Sequence, residues 1–159
     1  MTGTIAGECT RKSWNCEKNS NDVLFVRTAC VLADRITYVQ EKPLVTYRYN
    51  EKTSTQGKKS LAPLEFYAAF KALKTQLMQR NVYQSFEKSF VNMLLAECLF
   101  NFDTAGSTEA RELVREALAK EIFPFFELEK YDRSYFYNQR NYEIYEEIIK
   151  NSRYSVVPE

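Results

Sequence analysis

Val82-Tyr83-Gln84-Ser85-Phe86-Glu87-Lys88-Ser89-Phe90-Val91-Asn92-Met93-Leu94-Leu95-Ala96-Glu97-Cys98-Leu99-Phe100-Asn101-Phe102 is the stretch on which the architecture turns. It begins as a single apolar stripe, with Tyr83, Phe86 and Phe90 at helical spacing, and becomes apolar nearly all round through Met93, Leu94, Leu95, Cys98 and Leu99. A helix of that kind is central and buried, so the segments on either side must supply faces that cover it. On its N-terminal side, Pro63 suits a first helical turn, and Phe66, Phe70, Leu73 and Leu77 follow on one face, with a stop near Arg80 and Asn81. On its C-terminal side, Gly106 fits a stop and Ser107 an N-cap. Glu109 and Glu112 then precede Leu113, Val114, Ala117, Leu118 and Ile122, and Pro124 closes the element. Tyr142, Tyr145, Ile148 and Ile149 mark a last helix behind Asn138 or Asn141. Residues 61–150 are therefore predicted to be a four-helix region, with residues 151–159 as a tail.

The first sixty residues read differently. Residues 1–20 are polar and without a sustained period, as in a loose arm. Residues 22–33 carry Val23, Val26, Cys30 and Ala33 at helical spacing, with Leu24 and Val31 beside them, behind Ser20-Asn21-Asp22, a cluster of good cap residues. Residues 36–40 and 44–49 are rich in Ile, Val, Thr and Tyr and flank Glu41-Lys42-Pro43, which predicts two strands joined by a turn. Residues 50–60 have the composition of an exposed loop. The predicted class is α+β, mostly α: a helix and a two-strand segment over residues 21–60, then the helical region.

Composition excludes several chemistries. The 159 residues suffice for one domain with a core, since 45% are hydrophobic and 14% aromatic. A net charge of +1 provides no field to gather nucleic acid. No apolar run reaches the roughly 20 residues a membrane span needs, and the first residues lack a signal-peptide pattern, so a cytoplasmic location is expected. Histidine is absent, which removes the usual general base, Ser-His and Cys-His pairs and His-containing zinc sites. The four glycines are too scattered for a dinucleotide fingerprint or a P-loop. Cys9, Cys16, Cys30 and Cys98 lack CxxC spacing, and two of them fall within apolar helical patterns, where a free Cys behaves as a small hydrophobe.

Asn21-Asp22-Val23-Leu24-Phe25, Ala33-Asp34-Arg35-Ile36-Thr37-Tyr38-Val39, Pro43-Leu44-Val45-Thr46-Tyr47-Arg48 and Ser54-Thr55 together resemble the acceptor-side segment of family 2, GT-A type bacterial glycosyltransferases. The resemblance implies a portion of an enzyme that transfers a sugar from a nucleotide-sugar to an acceptor hydroxyl, with residues 36–49 as a remnant of the GT-A sheet. It makes Asp22 the candidate catalytic base, although Asn21 replaces the first acid of the family's pair. It also places Asn21, Arg48, Ser54 and Thr55 at the substrate, with Arg48 toward the donor diphosphate. The Asp-x-Asp motif of the donor half is missing, since Asp22, Asp34, Asp103 and Asp132 never make that spacing. No cofactor is expected in this chain, and a divalent Mg or Mn ion only with the absent donor half, so the chain alone would be inactive.

The residues themselves leave other readings open. Asp22 suits a helix cap as well as a base, and Arg48 suits a surface ion pair. The aromatic run Phe123, Phe125, Phe126, Tyr131, Tyr135, Phe136, Tyr137, Tyr142 and Tyr145 suits packing or subunit contact better than sugar stacking. The alternative function is a helical protein-interaction module without catalytic activity, and on either reading an exposed strand edge or the aromatic helical surface offers a route to a homo-oligomer.

Overall fold

The computed structural model describes residues 21–37 and 63–154. Among the described residues there are five α-helices of ten residues or more: α1 (Asn21–Leu32), α2 (Glu65–Gln79), α3 (Tyr83–Asp103), α4 (Thr108–Ala117) and α6 (Gln139–Tyr154), with a three-residue α5 (Phe123–Phe125) between the last two. About 80% of the described residues are helical and none of them is in a strand. The α+β expectation is therefore corrected to all-α. Ile36 and Thr37, the described part of the first expected strand, lie in irregular chain after α1, and the remainder of residues 36–49 is outside the described residues. Enrichment in Ile, Val, Thr and Tyr reflects fitness for a half-buried sheet surface, and Ile36, 71% exposed, lies on no such surface.

α3 packs against α2, α4 and α6. Val91, Leu94 and Cys98 on it are fully enclosed, and Phe90, Leu95 and Leu99 nearly so. The α2 stripe of Phe66, Phe70, Leu73 and Leu77 meets it, all four buried, with the Phe70 and Phe90 rings 5.9 Å apart in edge-on contact. The turn between the two helices is a Schellman motif. Asn81 adopts a left-handed conformation (φ 57°), its N–H donates to the Met78 carbonyl, and the Val82 N–H reaches back to Leu77. Asn is among the few non-glycine residues that take this conformation at small cost. Val82 then leans on the core beside Leu77, the apolar contact that usually accompanies the motif.

At the other end of α3, Gly106 takes φ 85° and Ser107 caps α4 by accepting the Ala110 N–H at 3.1 Å. Pro124 does not close the element. A π-helical turn, Leu118–Ile122, carries the chain from α4 directly into α5, and the Phe123 N–H donates five residues back to Leu118. A proline ring clashes with the carbonyl four residues earlier in a regular helix, and the widened turn immediately before Pro124 relieves that clash. The same widening keeps a four-residue repeat on one side: Val114, Leu118 and Ile122 are all completely buried. Glu127, at φ 58°, then turns the chain off the helix.

α1 packs on α2 through a different face from the one expected. Leu24 and Thr28 are buried, while Val26, Cys30 and Ala33 are exposed. Apolar residues surround α1 on most sides, so the partner selects the face, and the Thr28 hydroxyl donates to the Gln76 side-chain carbonyl at 3.2 Å. α6 runs to Tyr154, past Lys150 where the tail is expected to start. Among the described residues no helix is long and apolar enough to cross a membrane.

Candidate functional site

Of the expected site residues, only Asn21 and Asp22 fall within the described residues. Asn21 and Asp22 are the first two residues of α1. Arg48, Ser54 and Thr55 lie outside the described residues. Arg35 is exposed after α1. Of the other aspartates, Asp103 sits 3.6 Å from Arg111 and Asp132 caps a turn, so each has a local structural role. Among the described residues no group of three His, Cys, Asp or Glu side chains converges to hold a metal ion.

The described side chains do converge around the segment that links α5 to α6. Two 3₁₀ turns, Leu128–Lys130 and Arg133–Tyr135, place Tyr131 and Tyr135 side by side, with ring centroids 4.3 Å apart and nearly parallel. Glu87 on α3 accepts a hydrogen bond from the Tyr131 hydroxyl at 3.0 Å and a longer one from Tyr135 at 3.5 Å. Burial, reinforced by the bond to Glu87, holds the Tyr131 hydroxyl well above the ordinary phenol range, and burial beside the same carboxylate pushes Tyr83 up to about 12. These phenols are therefore neutral donors at any ordinary pH.

One turn further along α3, Asn92 fastens the segment from both sides of its amide. Its Nδ2 donates to the Tyr135 carbonyl at 3.1 Å, and its Oδ1 accepts the Tyr137 N–H at 2.6 Å. Asp132 accepts the Ser134 N–H at 2.7 Å, which starts the second 3₁₀ turn. Arg133 reaches forward to Gln139 at 2.7 Å and to Glu143 at 2.5 Å, tying the segment to the first turns of α6. Lys88 lies above the rings of Tyr135 and Tyr137, 5.3 and 5.4 Å from their centroids.

This fastened segment forms one wall of a groove of about 890 Å³, and α6 forms the other. Glu129 and Tyr131 contribute from the segment. Tyr142, Tyr145, Glu146, Ile149 and Lys150 contribute from α6, at the spacings of a single helix face, with Glu147 at its border. Tyr145 forms the floor: it is buried and packs edge-on against Phe123 at 4.9 Å. Burial, together with the nearby Glu146 carboxylate, raises the pKa of the Tyr142 hydroxyl. The groove thus has aromatic walls and an acidic rim, three carboxylates against one ammonium.

Much of the aromatic run is core. Phe123, Phe126, Phe136 and Tyr145 are buried, whereas Phe125 and Tyr137 are exposed. The groove was not visible from the sequence, because Glu129 is 17 residues from Glu146 and charges on a helix usually mark only a wet face. The usable signal was the i, i+3, i+4, i+7 alternation of Tyr142, Tyr145, Glu146 and Ile149, a mixture that a purely solvated or purely buried face would not carry. Comparison with protein-family models, with curated proteins and with solved structures found no match to this chain.

Proposed function

We propose that this chain is a helical protein-interaction module, acting in the cytoplasm, and that the groove between the Tyr131 segment and α6 receives a segment of its partner. The observation that supports the reading is the groove itself. It is concave, holds about 890 Å³, and combines ring surface with a few polar groups at its edge, the composition through which proteins bind ligands and short peptides. Its walls are held by hydrogen bonds and ring packing on both sides, so little ordering entropy is lost on binding. The reading is preferred to the glycosyltransferase expectation because the groove is formed by described side chains, whereas Arg48, Ser54 and Thr55 lie outside the described residues.

A selection of displayed peptides against the folded chain, followed by ¹⁵N–¹H mapping of the enriched sequences, tests it. Enriched peptides are expected to shift the amides of Tyr131, Tyr142, Tyr145 and Glu146, and Ile149→Asp is expected to abolish those shifts. Enrichment of peptides that leave the groove amides unmoved, or no enrichment at all, would overturn the assignment. An Asp22→Asn variant is expected to bind the same peptides unchanged.

A further inference from the structure

We infer that the occupant of the groove is an arginine-bearing, cationic segment of a partner polypeptide; this rests on the groove being a docking site. Charge supports it first. Glu129, Glu146 and Glu147 outnumber Lys150 at the rim, in a chain whose overall charge is +1, so the field there is local and opposite in sign to that of the whole molecule. The rings support it next. Tyr131, Tyr142 and Tyr145 line the same space as the carboxylates, and a guanidinium is the cation that lies flat on an aromatic face while its N–H groups reach a carboxylate bidentately. A lysine ammonium has the charge without the planar fit.

The dimensions favour a peptide over a small free cation. The α6 wall runs from Tyr142 to Lys150, about 12 Å at 1.5 Å per residue. That is the span of three to four residues of extended chain at about 3.3 Å each, and far more than one guanidinium occupies. The placement of charge along the wall also sets a direction. Glu146 and Glu147 lie a turn before Lys150, so the arginine sits toward the middle of the groove, and an acidic side chain or a C-terminal carboxylate of the segment meets Lys150 at its end.

Fluorescence anisotropy with three labelled hexapeptides, alternating serine with arginine, lysine or glutamate, tests the inference on the full chain. The arginine peptide is expected to bind tightest, severalfold above the lysine peptide, with no detectable binding of the glutamate peptide. Glu146→Gln combined with Glu147→Gln is expected to weaken the arginine peptide by about tenfold, as for loss of charge-assisted hydrogen bonds, with unchanged far-UV circular dichroism. Glu116→Gln, on α4 and away from the groove, is expected to leave binding within twofold. Affinity is also expected to fall as salt rises through 0.15 M, where the screening length is about 8 Å. Equal binding of the glutamate peptide, indifference to the double substitution, or displacement of the arginine peptide by tetramethylammonium at the same concentration would overturn the inference. Groove shifts produced only by neutral or acidic peptides would overturn the cationic occupant and leave the docking site standing. No groove shifts with any peptide would remove both.

Discussion

Asn92→Ala tests whether the segment between α5 and α6 is held by hydrogen bonds or by ring packing alone. The substitution deletes the bond from Nδ2 to the Tyr135 carbonyl and the bond from the Tyr137 N–H to Oδ1, each bridging more than forty residues of sequence, along with an exposed local bond from Nδ2 to the Lys88 carbonyl, whose loss water makes good. At about 1 kcal/mol net for each bond, the loss is about 2 kcal/mol. Alanine is a better helix former than asparagine by about 0.6 kcal/mol, which offsets part of it. The expected net destabilisation is about 1.5 kcal/mol, a fall of roughly 3–6 °C in Tm for a chain of this size. Urea unfolding followed at 222 nm reads the change as a lower midpoint at constant slope. Ser89→Ala, at an exposed position on the same helix, should stay within about 0.5 kcal/mol of the parent and serves as the reference. An Asn92→Ala midpoint indistinguishable from that of Ser89→Ala would refute the reasoning. The Tyr131 and Tyr135 rings would then be what fastens the segment.

Three further outcomes are expected. Leu94→Ala, at a fully enclosed position on α3, should cost about 2–5 kcal/mol by leaving a cavity. Leu113→Ala, half exposed on α4, should cost under about 1 kcal/mol by comparison, and equal losses at the two sites would contradict the placement of the core. Tyr67 and Tyr83 have pKa values pushed up to about 12, chiefly by burial, against about 10 in an unfolded chain. The native state therefore keeps their protons after the unfolded chain has released them. Their contribution to stability is complete below pH 10 and is lost as pH rises from 10 to 12. Absorbance at 295 nm and helicity should change together for these two phenols, and ionisation near pH 10 with intact helicity would count against their burial. Burial likewise pushes the Cys98 thiol up, so a maleimide should label exposed Cys30 in the native chain and reach Cys98 only on unfolding; equal rates would place Cys98 at the surface.

The parts of the fold that a sequence states locally were legible in it. Gly106 and Ser107 stop and restart the chain through their own backbone preference and side-chain chemistry, and the structure places both where those preferences point. Phe66, Phe70, Leu73 and Leu77 repeat with a clear helical period, and their face is buried. Residues whose environment decides their role were harder to read. α1 has apolar residues on several sides, and only contact with α2 turned Leu24 and Thr28 inward rather than Val26 and Cys30. Pro124 is a reliable stop in a regular helix, and only the π-helical turn before it let the chain continue. The groove depends on tertiary arrangement throughout: Glu87 and Asn92 on α3 capture a segment more than forty residues away, and no local pattern announces that capture.

The position of α3 also bears on how the chain is made. A helix that is apolar on most of its surface leaves the ribosome well before α6, which supplies Tyr145 and Ile148 to the core around it. About 50 residues separate the end of α3 from the end of α6, or roughly 3–10 s of synthesis at about 5–20 residues per second. The hairpin of α2 and α3 can close early around the Asn81 turn, but its remaining bare side must wait for the last helix. Throughout that interval the nascent chain presents a sticky surface to chaperones and to other chains. A stop codon that removes α6 is therefore expected to yield aggregate rather than a weaker version of the folded protein.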